Sequence, residues 1–368
     1  MRADGFERLE PWQARAVLAI VVASAIFFAV ITLSPLASGF ADAPDRGASD
    51  IELYQAEVAR IQRGQSYYDA AAAELAARGY PTRSVFNWRM PLPVWALGKL
   101  PDPAMGRALL SILALAGIVL GAQLIARESG LRHGVHCGLW LIGGLLPCFL
   151  DKLYVMHELW AGVLILLSVL AYGLKRPAWG AGLGFAALAV RELAAPYCAL
   201  CFVLAVIERR RKEASFWLVA GAIYALAFGL HVMQVLPRIA PDARAHSDGW
   251  LCFGGAAFVI SIVQMNGFLL LLPQWVSGVV LAATMLGFAG WNSAAGRRAG
   301  LAASLYLGLF AIVGQPFNQY WGSLVAPLLC LGIAQAPDAL TTLWRRAIRP
   351  HQPEALARSA RFIVDVPR

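Results

Sequence analysis

The side chains able to do chemistry in this 368-residue chain are few, and they cluster between its apolar segments. SDIELYQAEVARIQRG, residues 49–64, carries Asp50, Glu52 and Glu57. FNWRMPLP adds Asn87, Trp88 and Arg89, and DKLYVMHE adds Asp151, Lys152, His157 and Glu158. Arg191 and Glu192 adjoin in VRELAAP, and QPFNQYW holds Asn318, Gln319 and Tyr320. A positioned carboxylate can take a proton from a hydroxyl. A guanidinium grips a phosphate through paired hydrogen bonds, and an ammonium does so as a point charge. Amides and phenols match the hydroxyls of a polar ligand.

The elements that must position these groups follow from periodicity. Ser49, Asp50, Ile51 and Glu52 fit an S-x-x-E capping box, with Ser49 as the cap and Glu52 reaching back to it. At about 100° per residue, Ile51, Leu53, Tyr54, Val58 and Ile61 share one stripe. Asp50 and Glu57 project into its middle, whereas Glu52, Gln55, Arg60 and Arg63 lie away from it. A first-turn acid also complements the helix dipole, but that does not explain why Asp50 faces inward. Glu57 reads as a second site acid or as the partner of a nearby arginine. A second short helix is expected over 70–78, stopped by Gly79 and Pro81. MPLPVWALGKLP, residues 90–101, is apolar but too short to span, and should lie at the interface.

The composition sets the surroundings. Hydrophobic residues make up 59% of the chain and charged residues 14%, which implies an all-α polytopic membrane protein. Ten spans are expected: 16–36, 104–126, 133–150, 159–174, 178–190, 193–207, 214–232, 268–290, 300–314 and 322–336. Residues 178–207 could be one broken helix, but the Arg191-Glu192 pair argues for two, because charge at mid-bilayer is costly. The net charge of +9 comes from short basic runs between spans, as in ERRRKE and WRRAIR. These place one side, with both termini, in the cytoplasm. No nucleic-acid partner is implied. The first span follows a basic start without a clear small-x-small cleavage site, so it reads as a retained helix. Residues 1–343 form one transmembrane domain, with a long first extracytoplasmic loop at 37–103, and 344–368 form a polar cytoplasmic tail. Extracytoplasmic loops also cover 151–158, 191–193, 233–267 and 315–321. The six cysteines lie in or beside apolar segments, and Cys198-Ala-Leu-Cys201 reads as packing thiols. No internal repeat is visible.

Each candidate has a structural alternative. Asp151 and Lys152 could simply pair with each other. His157 at a span start could be structural, or with Glu158 could bind the hydroxyls of a ligand or tune a nearby base. Glu192 reads as the local partner of Arg191. Asn87, Trp88, Asn318 and Tyr320 suit the hydroxyls of a polar ligand, and equally an interfacial aromatic belt.

With its many spans, long first extracytoplasmic loop and inward acid in GASDIELY, followed by GQSYYDAA and NWRMPLP, the chain resembles the GT-C superfamily of membrane glycosyltransferases. The likeness is to bacterial polyprenyl-phosphate-sugar-dependent mannosyl- and arabinosyltransferases. GLGFAALAVRELAAPY, a short apolar helix ending in arginine, is similar to another feature of that superfamily. The resemblance implies a GT-C-like bundle of about ten transmembrane helices, with amphipathic helices in the first loop. It implies an enzyme of the inner (plasma) membrane that takes a polyprenyl-phosphate-linked sugar donor and a glycolipid or polysaccharide acceptor. Asp50 would be the essential acid. A phosphate leaving group needs no general acid, only positive charge on its oxygens. Asp50 as base, Arg191 as first phosphate ligand, and Lys152 or Arg89 as second then suffice, with inversion at the anomeric carbon. Asp50-Ile-Glu52 departs from the Asp-x-Asp or Asp-Glu of some members. No cofactor is specified by these residues, and a divalent metal on Asp50, Glu52, His157 and Glu158 is left open. A lipid transporter or flippase, or a non-catalytic subunit of an envelope-polymer complex, would share the composition. A transporter places its ionisable groups near mid-membrane, often at repeats, whereas these gather at one face.

Overall fold

The computed structural model describes residues 5–33, 46–245 and 253–348, with side chains in the second segment from Asp50 onward. Among these residues the chain is all helical. α1 (Pro11–Thr32) is followed by α2 (Arg46–Gln62), α3 (Tyr67–Ala77), a 3-10 turn (Val85–Trp88) and α4 (Leu92–Gly98). α5 (Pro103–Ser129) and α6 (Leu131–Leu145) form a hairpin around Gly130, whose φ of +99° favours glycine. α7 (His157–Gly173), α8 (Pro177–Val190), α9 (Ala195–Ile207) and α10 (Arg211–Val235) come next. α11 (Gly255–Val263), α12 (Gln274–Gly290), α13 (Ala294–Phe310), a 3-10 segment (Pro316–Leu324) and α14 (Ala326–Ala347) complete the order.

Three helical stretches are long and apolar enough to cross a membrane: Pro11–Thr32, Pro103–Ser129 and Arg211–Arg238. A fourth qualifies if Pro316–Leu324 and Ala326–Ala347, bent by 66°, count as one crossing. His157–Gly173, Pro177–Val190, Glu192–Ile207 and Gln274–Gly290 are apolar but shorter. Length and composition thus qualify three or four helices, not ten. The outer surface is apolar: Ile20, Ile26 and Val30 on α1, and Leu218, Ile223 and Leu226 on α10, are exposed. An apolar exterior of this kind suits lipid, where only helices and closed barrels satisfy their own backbones.

α7 is the central strut. It is buried along nearly its whole length and packs against α5, α8, α13 and the 316–324 segment. α12 and α14 approach closely, since a Cβ on Gly287 would collide with the Gly332 carbonyl oxygen. At one end of α7, α2 lies over α3 and α4 and touches both the 316–324 segment and the 3-10 turn Asp151–Val155.

Several boundaries differ from expectation. α2 begins at Arg46, a turn before Ser49, so Ser49 is inside the helix rather than its cap, and Asp50 is not a first-turn acid. α3 begins at Tyr67, not residue 70, because the Ser66 side chain accepts from the Asp69 amide and starts the helix early. Residues 178–207 form two helices, broken at Arg191. The expected 233–267 loop contains α11, whose residues from Ala257 to Val263 are all buried. Arg298, expected in a cytoplasmic loop, is buried in α13 with its guanidinium 3.7 Å over the Tyr172 ring. α14 runs on to Ala347, past the expected domain limit at 343, and residues 349–368 of the tail lie outside the described residues.

Candidate functional site

α2 supplies the acids. Its buried set is Asp50, Leu53, Tyr54, Glu57, Val58 and Ile61, whereas Glu52 is exposed. The Asp50 Oδ1 accepts a 2.6 Å hydrogen bond from the Tyr80 hydroxyl. Tyr80 follows Gly79, whose φ of +67° ends α3 and turns the chain back over α2.

The loop after Tyr80 is fastened by its own side chains. Asn87 Nδ2 donates to the Pro81 carbonyl, and Trp88 Nε1 donates to the Thr82 carbonyl at 3.0 Å. The buried Tyr67 hydroxyl donates to the Trp88 carbonyl and lies 3.0 Å from that of Arg89. Arg89 then adopts φ +52° and ψ 158°. Its Nε donates to the Tyr54 hydroxyl at 3.3 Å, and its Nη1 to Phe86 O at 3.0 Å and Glu192 Oε1 at 3.2 Å.

Behind Arg89 the charges alternate. Glu192 Oε1 also accepts from Arg191 Nη1, and Arg191 Nε lies 2.8 Å from Glu158 Oε1. Arg191 is 1% exposed, and the break between α8 and α9 holds it there. Burial by itself would raise the Glu192 carboxyl, but Arg191 and Arg89 outweigh it and hold the group at about 2. Glu57 goes the other way: burial first, then the nearby Glu74, push it from 4.5 to about 8. Glu57 is therefore a neutral acid at neutral pH. The His157 ring packs on the Tyr54 ring with centroids 4.5 Å apart. Among the described residues His157 Nε2 and Arg191 Nη2 have no hydrogen-bond partner although both are buried, a costly condition that a bound ligand or water would relieve.

A cavity of about 460 Å³, including space open to solvent, joins these elements. Asp50, Tyr54, Tyr80, Asn87, Arg89, Asn318 and Tyr320 are among its lining residues. The acid of α2 and the guanidinium of the loop thus face one space.

Not every expected site residue reaches it. Arg191 is absent from the lining and connects through Glu192 and Arg89. Lys152 is exposed, and its neighbour Asp151 pairs with Arg107 instead; the side chains point outward from the Asp151–Val155 turn. Trp88 is 2% exposed and belongs to the core, because its ring is needed under the loop. Asn318 lines the cavity, but its Oδ1 accepts from the Gln315 amide at 2.9 Å and caps the 316–324 segment. His157 and Glu158 are buried against Tyr54 and Arg191 rather than open to an acceptor. Among the described residues no group of three or more His, Cys, Asp or Glu is placed to hold a metal ion. Cys137, Cys148, Cys198, Cys201 and Cys330 are free and buried, and Cys252 lies outside the described residues.

Sequence reasoning missed Tyr54, Tyr80 and the bridging role of Glu192. Tyr54 was within reach, since it lies four residues after Asp50 on the same stripe. Tyr80 had no such signal, because its place depends on a turn between separate helices. No family model, curated protein or solved structure matches this chain.

Proposed function

We propose that this chain is an inverting glycosyltransferase of the GT-C kind. It moves a sugar from a polyprenyl-phosphate donor to a lipid- or polymer-linked acceptor at the extracytoplasmic face of the inner membrane. The observation that carries the reading is the cavity shared by Asp50 and Arg89. Such a transfer needs one base for the incoming hydroxyl and positive charge for the departing phosphate. Asp50 accepts the acceptor's hydroxyl proton while the new bond from oxygen to the anomeric carbon forms. The bond from that carbon to the phosphate oxygen breaks on the opposite side, and polyprenyl phosphate leaves as an anion. Arg89 takes the leaving oxygens first, with Arg191 behind it holding an unused Nη2 donor. Arg191 therefore moves from first ligand to support. Tyr320, Asn87 and Tyr54 line the space left for sugar hydroxyls. The four shorter apolar helices, together with α6 and α13, bring the crossings to about ten, with both termini in the cytoplasm.

The test is transfer of label from polyprenyl-phosphate-linked mannose and arabinose by the purified full-length protein and its Asp50→Asn variant. The expected result is transfer from one of them that the variant loses by about 100-fold or more. Transfer unchanged in a folded Asp50→Asn protein removes Asp50 as base. Absence of transfer from either donor, together with no polyprenyl species co-purifying by mass spectrometry, overturns the reading.

A further inference from the structure

Arg89 occupies a backbone conformation almost confined to glycine, at φ +52° and ψ 158°. Glycine would sit there without strain, so what this position gains from arginine is the side chain. The strain is imposed locally. Tyr67, 5% exposed, sets one hydroxyl against two successive carbonyls, those of Trp88 and Arg89. Drawing both carbonyls to one donor rolls the chain and aims the Arg89 side chain away from them, to the cavity. There Nε and Nη1 are held by Tyr54, Phe86 and Glu192, and no described residue bonds Nη2. A fixed guanidinium with one edge unused is the arrangement that receives an anion. Behind it, Arg191 Nη2, beside Glu158 and Glu192, and His157 Nε2, on the ring that packs on Tyr54, have no hydrogen-bond partner among the described residues and lie outside the cavity lining.

We infer that Tyr67 is a positioning residue that holds the Trp88–Arg89 turn in a glycine-type conformation, so that Arg89 serves as the cavity's phosphate ligand. That the phosphate is a polyprenyl phosphate rests on the glycosyltransferase reading; the clamp itself does not. Tyr67 acts only through Arg89, so its effect must vanish when the guanidinium is gone.

The experiment is a double-mutant cycle on the full-length protein, with Tyr67→Phe, Arg89→Gln and both together. The probe is undecaprenyl monophosphate, bound in detergent and read by native mass spectrometry. Free undecaprenol and phosphatidylglycerol are run as controls. Each single variant is expected to weaken undecaprenyl monophosphate about tenfold, the double no more than Arg89→Gln alone, and undecaprenol to be unaffected. An equal Tyr67→Phe loss in both backgrounds, or an equal loss for undecaprenol, overturns the clamp. Equal losses for phosphatidylglycerol overturn the polyprenyl assignment. Should Tyr67→Phe not fold, Arg89→Gly is compared with Arg89→Ala, both lacking the guanidinium. The glycine variant is expected to melt several degrees higher, and equal melting temperatures overturn the imposed strain. Asp50→Asn separates the two ideas: unchanged transfer there, with the cycle intact, discards the base and keeps the clamp.

Discussion

Glu57 is the residue whose titration leaves the plainest trace. Its carboxyl is raised from 4.5 to about 8 by burial and by Glu74, so the folded state holds a proton that the unfolded chain gives up. The sign follows: stability from this group is full below about 4.5 and falls as pH rises through about 8. Glu57→Gln copies the neutral form. It should melt like the parent near pH 5 and above it near pH 9, by differential scanning fluorimetry. A parent that melts no lower at pH 9 than the variant would show the carboxyl to be ionised at no cost. Tyr80 gives a second expectation. Its hydroxyl, 2.6 Å from the Asp50 carboxylate, fixes which carboxylate oxygen faces the cavity. A hydrogen bond to a charged group contributes about 1.5–3 kcal/mol. Tyr80→Phe should therefore lower kcat about tenfold or more with KM nearly unchanged. A change confined to KM would place Tyr80 on the substrate instead.

At the scale of elements, the site depends on two breaks in regular structure. The first is the 3-10 turn between α8 and α9, where Glu192 lies between Arg191 and Arg89. Removing that carboxylate leaves the buried Arg191 and the partly buried Arg89 without the anion that joins them. Glu192→Gln should cost about 3–5 kcal/mol and lower the melting temperature, whereas exposed Asp151→Asn should change it little. The second is the strained Arg89 turn, which costs about 1–3 kcal/mol and is held by Tyr67. Elsewhere the helices approach through small residues. Gly287 on α12 meets the Gly332 carbonyl on α14, so Gly287→Leu must separate the pair. Its expected result is loss of the folded peak in size-exclusion chromatography; a monodisperse variant would mean these helices can slide apart cheaply.

At the scale of the molecule, the ionisable groups gather at one end of α7 and the basic loops Lys175–Arg176 and Arg209–Lys212 at other helix ends. The proposed topology sets these on opposite sides of the membrane. Asp151 and Arg209 are both exposed, and the five described cysteines are buried, so single cysteines added in a Cys252→Ser background report the two sides. In right-side-out vesicles, Asp151→Cys should react with an impermeant maleimide and Arg209→Cys only after permeabilisation. Labelling of both from outside would overturn the orientation. Much of this scale was legible in the chain. Apolar runs gave most helices to within a few residues, and the 3.6-residue stripe of α2 gave the inward faces of Asp50 and Glu57. The helix at Gly255–Val263 was missed because its nine residues are too few for a span and it sits in a stretch that otherwise reads as loop.

The sequence by itself determined the helical, apolar character of the protein, the break at Arg191, and the buried face of α2. Each of these follows from local composition or from a period within one element. Tertiary structure alone decided that Arg89 rather than Arg191 or Lys152 lines the cavity with Asp50, that Tyr80 holds the acid, and that Trp88 is core. Those outcomes depend on distances between groups far apart in the chain. A guanidinium's partners are set by which carboxylates the packing brings within about 3 Å, and no spacing along the sequence encodes that.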